Sequence, residues 1–171
     1  ALDISSRTGW AVFDSEAARP LLGTKPLVGW AYDEGTMLEY FRKWLGEFIQ
    51  THNPQMAAIE RPFIPTHGGK VDGSTVIRQV GLACMAKWAF GAVGIPCHWA
   101  PISEWRKHAF GSSKNNGTDW KVRAKNRCDF LGWAYPDDNA AEAGLILDWA
   151  LVTKAKINPP WRDDVLMARM A

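Results

Sequence analysis

The chain has 171 residues, 47% of them hydrophobic and 22% charged, with a formal net charge of +2. That length suits one domain with one good core, and no apolar run approaches the length of a bilayer span, so a membrane partner is not expected. The small net charge does not by itself argue for nucleic acid, and Cys84, Cys97 and Cys128 lack any CxxC or Cys/His metal spacing, so they read as buried or free thiols of a reducing compartment and zinc is not expected.

Leu2 to Ile4 and Trp10 to Phe13 are short apolar runs split by Ser5-Ser6-Arg7-Thr8-Gly9, the pattern of a hairpin with a polar turn. Leu27 to Tyr32 is a third run that would complete a meander. Because Leu2 already sits in a strand pattern, a few residues are expected to precede Ala1. Between Thr36 and Gln50, Met37, Phe41, Trp44, Leu45 and Phe48 recur at helical spacing, and Asn53-Pro54 stops that helix. Met56 to Ile59 fits a strand buried on both faces. Residues 64 to 74 carry glycines, a proline and little apolar content, the composition of a mobile loop.

Thr75 to Ala92 predicts a helix striped by Ile77, Val80, Gly81, Cys84 and Trp88, and Gly94-Ile95-Pro96 leads into a strand over Cys97 to Ala100. A short helix over Ile102 to Phe110 and a polar loop over Gly111 to Gly117 follow. Trp120, Ala124, Cys128 and Leu131 edge the next helix, and Asp138 to Thr153 is the last long one. Pro159-Pro160 blocks its continuation, and the tail Trp161 to Ala171 can add one short helix. A meander followed by βα units predicts an α/β fold: a mixed sheet, antiparallel first and parallel afterwards, flanked by helices.

Four acids stand out against this frame: Asp3 in Ala1-Leu2-Asp3-Ile4, Glu60 in Ala57-Ala58-Ile59-Glu60, and Asp138 and Glu142 at the start of the last long helix. A carboxylate in an apolar run is costly unless something pairs it, and separate exceptions of this kind point to one shared partner. A hard divalent cation such as Mg²⁺ is the natural one, held by carboxylates together with substrate phosphate. Plainer readings stand beside this one. Asp3 can accept turn hydrogen bonds, Glu60 can pair with Arg61, and Asp138 can be the helix N-cap. Asp137 and Asp148 are assigned to solvent. His52, His67, His98 and His108 show no ligand spacing, and the ten tryptophans fall mostly at core positions.

The bases concentrate locally. Arg106, Lys107, Lys114, Lys121, Arg123, Lys125 and Arg127 are interleaved with Trp105, Asn115, Asn116 and Trp120, a candidate phosphate-contacting surface whose plain reading is a solvated helix face. Lys121 and Lys125 share one helical face.

Asp3-x5-Gly9-Trp10-Ala11-Val12 with Thr8 before the glycine, an apolar strand ending in Glu60, and a last helix opening on a carboxyl cluster resemble the RuvC family of Holliday junction resolvases, within the ribonuclease H-like superfamily. The resemblance covers nearly the whole chain. It implies a single ribonuclease H-like nuclease domain over residues 1–171, cutting branched DNA with two Mg²⁺ ions, for which Mn²⁺ is expected to substitute. It also implies a homodimer formed through the Thr75 to Ala92 helix, in the cytoplasm of a bacterial or phage-infected bacterial cell.

In that pattern Asp3 bridges both metals and Glu60 is the second ligand. The aromatic three residues later, here Phe63, wedges into the junction, although a core Phe is the plain alternative. The family has two acids, or a His and an acid, three residues apart at the last helix; here that spacing pairs Asn139 with Glu142, so Asp138, four residues before Glu142, would supply the missing carboxylate. Arg106, Lys107, Lys114, Lys121 and Lys125 would hold phosphates, since Pro101-x3-Trp105-Arg106-Lys107 is similar to a basic segment of the family. Two rivals remain at this level: a junction-binding protein without catalysis, and an actin-like or sugar-kinase-type ATP-binding domain, for which the chain is short.

Overall fold

A computed structural model describes residues 1–27, 33–64, 73–114, 117 and 119–163 of the chain. Strands β1 (Leu2–Asp3), β2 (Arg7–Val12) and β3 (Leu21–Pro26) pair antiparallel, while β4 (Ala57–Glu60) and β5 (Cys97–Ala100) continue the sheet parallel to β1. The order across the sheet is β3-β2-β1-β4-β5. β1 is therefore central, and both connections from it to β4 and from β4 to β5 run through a helix, as parallel pairing requires.

The third strand corrects the expectation from Leu27 to Tyr32. It lies at Leu21–Pro26, where Gly23 sits opposite Trp10 and a Cβ on Gly23 would collide with the indole ring. An edge strand tolerates the glycine and the closing proline, and both hide it from an apolar count. Leu27 is buried just beyond it; 28–32 lie outside the described residues.

Helix α1 (Glu34–His52) is capped by Asp33, whose carboxylate accepts from the Thr36 N–H at 2.9 Å, and is ended by Asn53 in the left-handed region at φ 41°. Together with α2 (Gly73–Ala92) it covers one face, where Phe41, Leu45, Leu82, Ala86 and Phe90 pack with Leu2 and Ile59. The buried side of α2 is Leu82, Ala83, Ala86 and Phe90, so the stripe of Ile77, Cys84 and Trp88 faces outward instead, with Ile77 and Trp88 each 65% exposed.

The other face carries α3 (Ile102–Phe110), α4 (Trp120–Phe130) and α5 (Asp138–Ala150). α5 is buried from Ala140 through Ala150 and runs into a π-helical turn, Leu151–Ala155. An all-round apolar helix belongs inside, and its small residues let it lie close to the sheet. No helix among the described residues is long and apolar enough to cross a membrane. The three cysteines are free thiols.

Asp148 of α5 is a second correction, because it is buried rather than solvated. Its carboxylate accepts from Trp161 Nε1 at 2.8 Å and Arg162 Nη2 at 2.6 Å, and lies 2.9 Å from His108 Nε2. Burial works to raise this carboxyl, but the three partners prevail and hold it at about 2. Of the loop expected over 64 to 74, Gly73 and Ser74 belong to α2, and 65–72, which include His67, lie outside the described residues, as do Asn115, Asn116 and 164–171.

Candidate active site

Leu2 pairs with Ile59, so Asp3 and Glu60 end two adjacent parallel strands side by side at one edge of the sheet. In open α/β sheets that carboxyl edge is where ligands bind. Asp3 stands opposite Gly9 of β2, and a Cβ on Gly9 would run into the Asn139 carbonyl. The glycine thus lets the start of α5 rest directly on the hairpin, which delivers Glu142 to the same edge.

The N-cap of α5 is Asp137, not Asp138. Its carboxylate accepts from the Ala140 N–H at 3.0 Å, from Thr24 Oγ1 at 2.5 Å and from Arg7 Nη2 at 3.1 Å, tying α5 to β2 and β3. The solvated role expected for Asp137 is overturned by those three bonds. Asp138 begins the helix proper, one turn before Glu142, and forms an ion pair with Lys121 of α4. Asn139 is half-buried, with its carbonyl against Gly9.

Burial and mutual repulsion dominate the electrostatics. Burial raises Asp3 well above the usual carboxylate range, and the charges of Glu60 and Glu142 raise it further; the Asp3 carboxyl donates to Glu60. Glu60 is raised by burial against the opposing pull of Trp105 and Arg106. Glu142 is pushed up to about 7 by burial and by Glu60. Asp138 is lowered by its bond to Lys121, which is raised in return.

Two cations face these four acids. Lys121 is one, and Arg106 is the other, 3.7 Å from Glu142 Oε1. Arg106 also stacks on Trp105 and Trp120, and its Nε is buried with no hydrogen-bond partner. With every acid ionised the group carries two uncompensated negative charges. Among the described residues no group of three or more His, Cys, Asp or Glu side chains is placed to hold a metal ion as it stands. The donor set nevertheless fits Mg²⁺: all ligands are oxygens, the excess charge matches one divalent ion, and Mg²⁺ keeps several waters instead of demanding an all-protein cage.

Of the remaining residues expected at the site, Lys107 and Lys114 are exposed and Lys125 is half-buried, and none of the three forms an ion pair with the four acids. Phe63 is 62% exposed, followed by Ile64 at 61%, so the core alternative for Phe63 does not hold. The sequence places Trp105 only within the basic segment, and its role beside the acids is new. Trp105, fully buried in α3, donates its indole N–H to Glu60 Oε1 at 3.0 Å. The proximity of Trp105 to Arg106 in the basic segment was the available signal, but nothing local tells which strand end an indole will reach.

No protein-family model matches the chain, and no curated protein matches it by sequence. Solved structures do. RuvC of Thermus thermophilus superposes with a TM-score of 0.61 over 87% of this chain and 92% of that one, at 13% identity. The chain has the RuvC fold. A T. thermophilus RuvC in complex with a Holliday junction substrate matches this chain equally well, at TM-score 0.61 and 15% identity over 85% and 87% of the two chains. The yeast mitochondrial Holliday junction resolvase Ydc2 matches at TM-score 0.59 and 13% identity, over 98% of this chain and 80% of that one.

Proposed function

We propose that this chain is a metal-dependent endonuclease that cleaves branched DNA and resolves four-way junctions. The observation that carries the reading is that two buried carboxylates, Asp3 and Glu142, and the half-buried Glu60 act on one another's charge at one edge of a sheet whose fold is that of RuvC, one of whose solved structures is a Holliday junction complex. Acids that raise one another's pKa values are poor structural elements and good cation ligands. Mg²⁺ bound there, as two ions or with Mn²⁺ in its place, would generate hydroxide from water near neutral pH and stabilise the oxygen leaving the phosphodiester.

Asp3, Glu60 and Glu142 would be the residues that hold the metal. Asp138 would be the fourth ligand, exchanging Lys121 for the cation, while Asn139 is the weaker candidate because it brings no charge. Arg106 and Lys121 would bind phosphate oxygens next to the acids, with Lys107, Lys114 and Lys125 on the approach. Phe63 would stack on a base at the opened crossover. The outward stripe on α2, Ile77, Cys84 and Trp88, supports a homodimer, which a two-fold junction with two cuts requires.

The test is cleavage of an end-labelled four-way junction against linear duplex, in Mg²⁺ or in chelator, by wild type and Asp3→Asn. The expected outcome is paired cuts by the wild type in Mg²⁺ alone and binding without cutting by the variant. Binding without cutting by the wild type would favour a non-catalytic junction-binding protein.

A further inference from the structure

We infer that Trp105 is a positioning residue for Glu60: its indole N–H fixes which way the carboxylate faces and so sets how tightly the site holds a divalent cation. The inference rests on the metal reading of the site. Trp105 is fully buried, so an unbonded N–H there would be costly, and the partner it takes is Glu60 Oε1 at 3.0 Å. Its own position is rigid. Pro101 opens α3, its carbonyl accepts from the Trp105 backbone N–H at 3.2 Å, Phe110 packs edge-on at 6.4 Å, and the Arg106 guanidinium covers the ring at 5.1 Å.

The choice of an indole has a physical reason. A lysine or arginine in this place would also orient Glu60, but it would cancel the charge and compete with a cation. A neutral donor occupies one carboxylate oxygen, leaves the full negative charge, and leaves the other oxygen for a cation. Consecutive residues of α3 thus treat the two glutamates differently: Trp105 orients Glu60 without neutralising it, and Arg106 offsets Glu142 from 3.7 Å. Hydrogen bonds to metal-ligating groups of this kind typically change metal affinity or activity by about 10- to 100-fold.

The experiment titrates Mn²⁺ into wild type, Trp105→Phe and Trp161→Phe by calorimetry, alongside melting temperatures and the Mg²⁺ dependence of cleavage. Trp161 is the control, since it is equally buried and its indole also donates to a carboxylate, Asp148, away from the site. The expected result is a similar fall in melting temperature for both variants. Only Trp105→Phe should show Mn²⁺ affinity about 10-fold weaker or more, with cleavage recovering at high Mg²⁺. Unchanged Mn²⁺ affinity in Trp105→Phe would reduce Trp105 to a core ring and leave the metal reading intact. Absence of any wild-type Mn²⁺ binding that Asp3→Asn removes would overturn both. Should Trp105→Phe not fold, the wild-type chain still decides: the Trp105 indole N–H resonance should shift on Mg²⁺ saturation, and a stationary resonance would refute the inference.

Discussion

Glu142→Gln should make the chain more stable in alkaline solution and not in acid. Glu142 is buried, and its carboxyl is raised from 4.5 to about 7 by burial and by Glu60. Below the unfolded value the group is protonated in both states and contributes nothing. Between 4.5 and about 7 the unfolded chain ionises while the folded one keeps its proton, so stability falls as pH rises, and above about 7 the cost is complete. At about 1.4 kcal/mol per tenfold, the full cost is about 3 kcal/mol. Glutamine keeps the shape without the charge, so near pH 8.5 the variant should be more stable by up to about 3 kcal/mol, less whatever attraction to Arg106 is lost. Near pH 5 the gap should shrink below about 1 kcal/mol. Urea unfolding in chelator at the two pH values measures it. A variant destabilised equally at both would show that Arg106 outweighs the repulsion, and the argument for an excess of negative charge would fail.

Asp138→Asn should lower single-turnover cleavage by orders of magnitude while Asn139→Ala costs little, and because the Asp138–Lys121 pair is part-exposed, melting should change by no more than about 1 kcal/mol. A near wild-type rate for Asp138→Asn would remove Asp138 from the site. Phe63→Ala should leave stability unchanged, given its exposure, and slow cleavage of an intact junction more than of a nicked one, a stacking loss of about 1–3 kcal/mol per base. Asp148→Asn should cost about 2 kcal/mol at neutral pH, from the depression of its carboxyl from 3.8 to about 2. That stability is present above 3.8 and lost as pH falls through about 2, so denaturation curves of the two proteins should converge in acid.

The helical elements were legible because their signals are local and repeated: α1 shows its apolar spacing over five residues and its stop at Asn53-Pro54. β3 was not, since its pairing depends on Gly23 accommodating Trp10, a fit between two strands that no single strand displays. Asp3 and Glu60 were legible as acids ending apolar runs, and the register brings them side by side. Asp137 and Asp148 were misread for one reason. An acid on a helix looks solvated until distant groups arrive, here Thr24 and Arg7 for the first and His108, Trp161 and Arg162 for the second. The α2 stripe was readable as apolar, but which side of the helix the sheet takes depends on Leu82, Ala86 and Phe90 meeting α1 and β4.

The central claim is that the acids of β1, β4 and α5 hold divalent metal for phosphodiester hydrolysis, and crystals soaked in Mn²⁺ test it most directly. The account predicts two anomalous peaks about 4 Å apart, bridged by Asp3 and flanked by Glu60 and Glu142. Asp138 should have turned from Lys121 to the second peak. Crystals that show no peak at Asp3, under Mn²⁺ concentrations that support junction cleavage in solution, would contradict it.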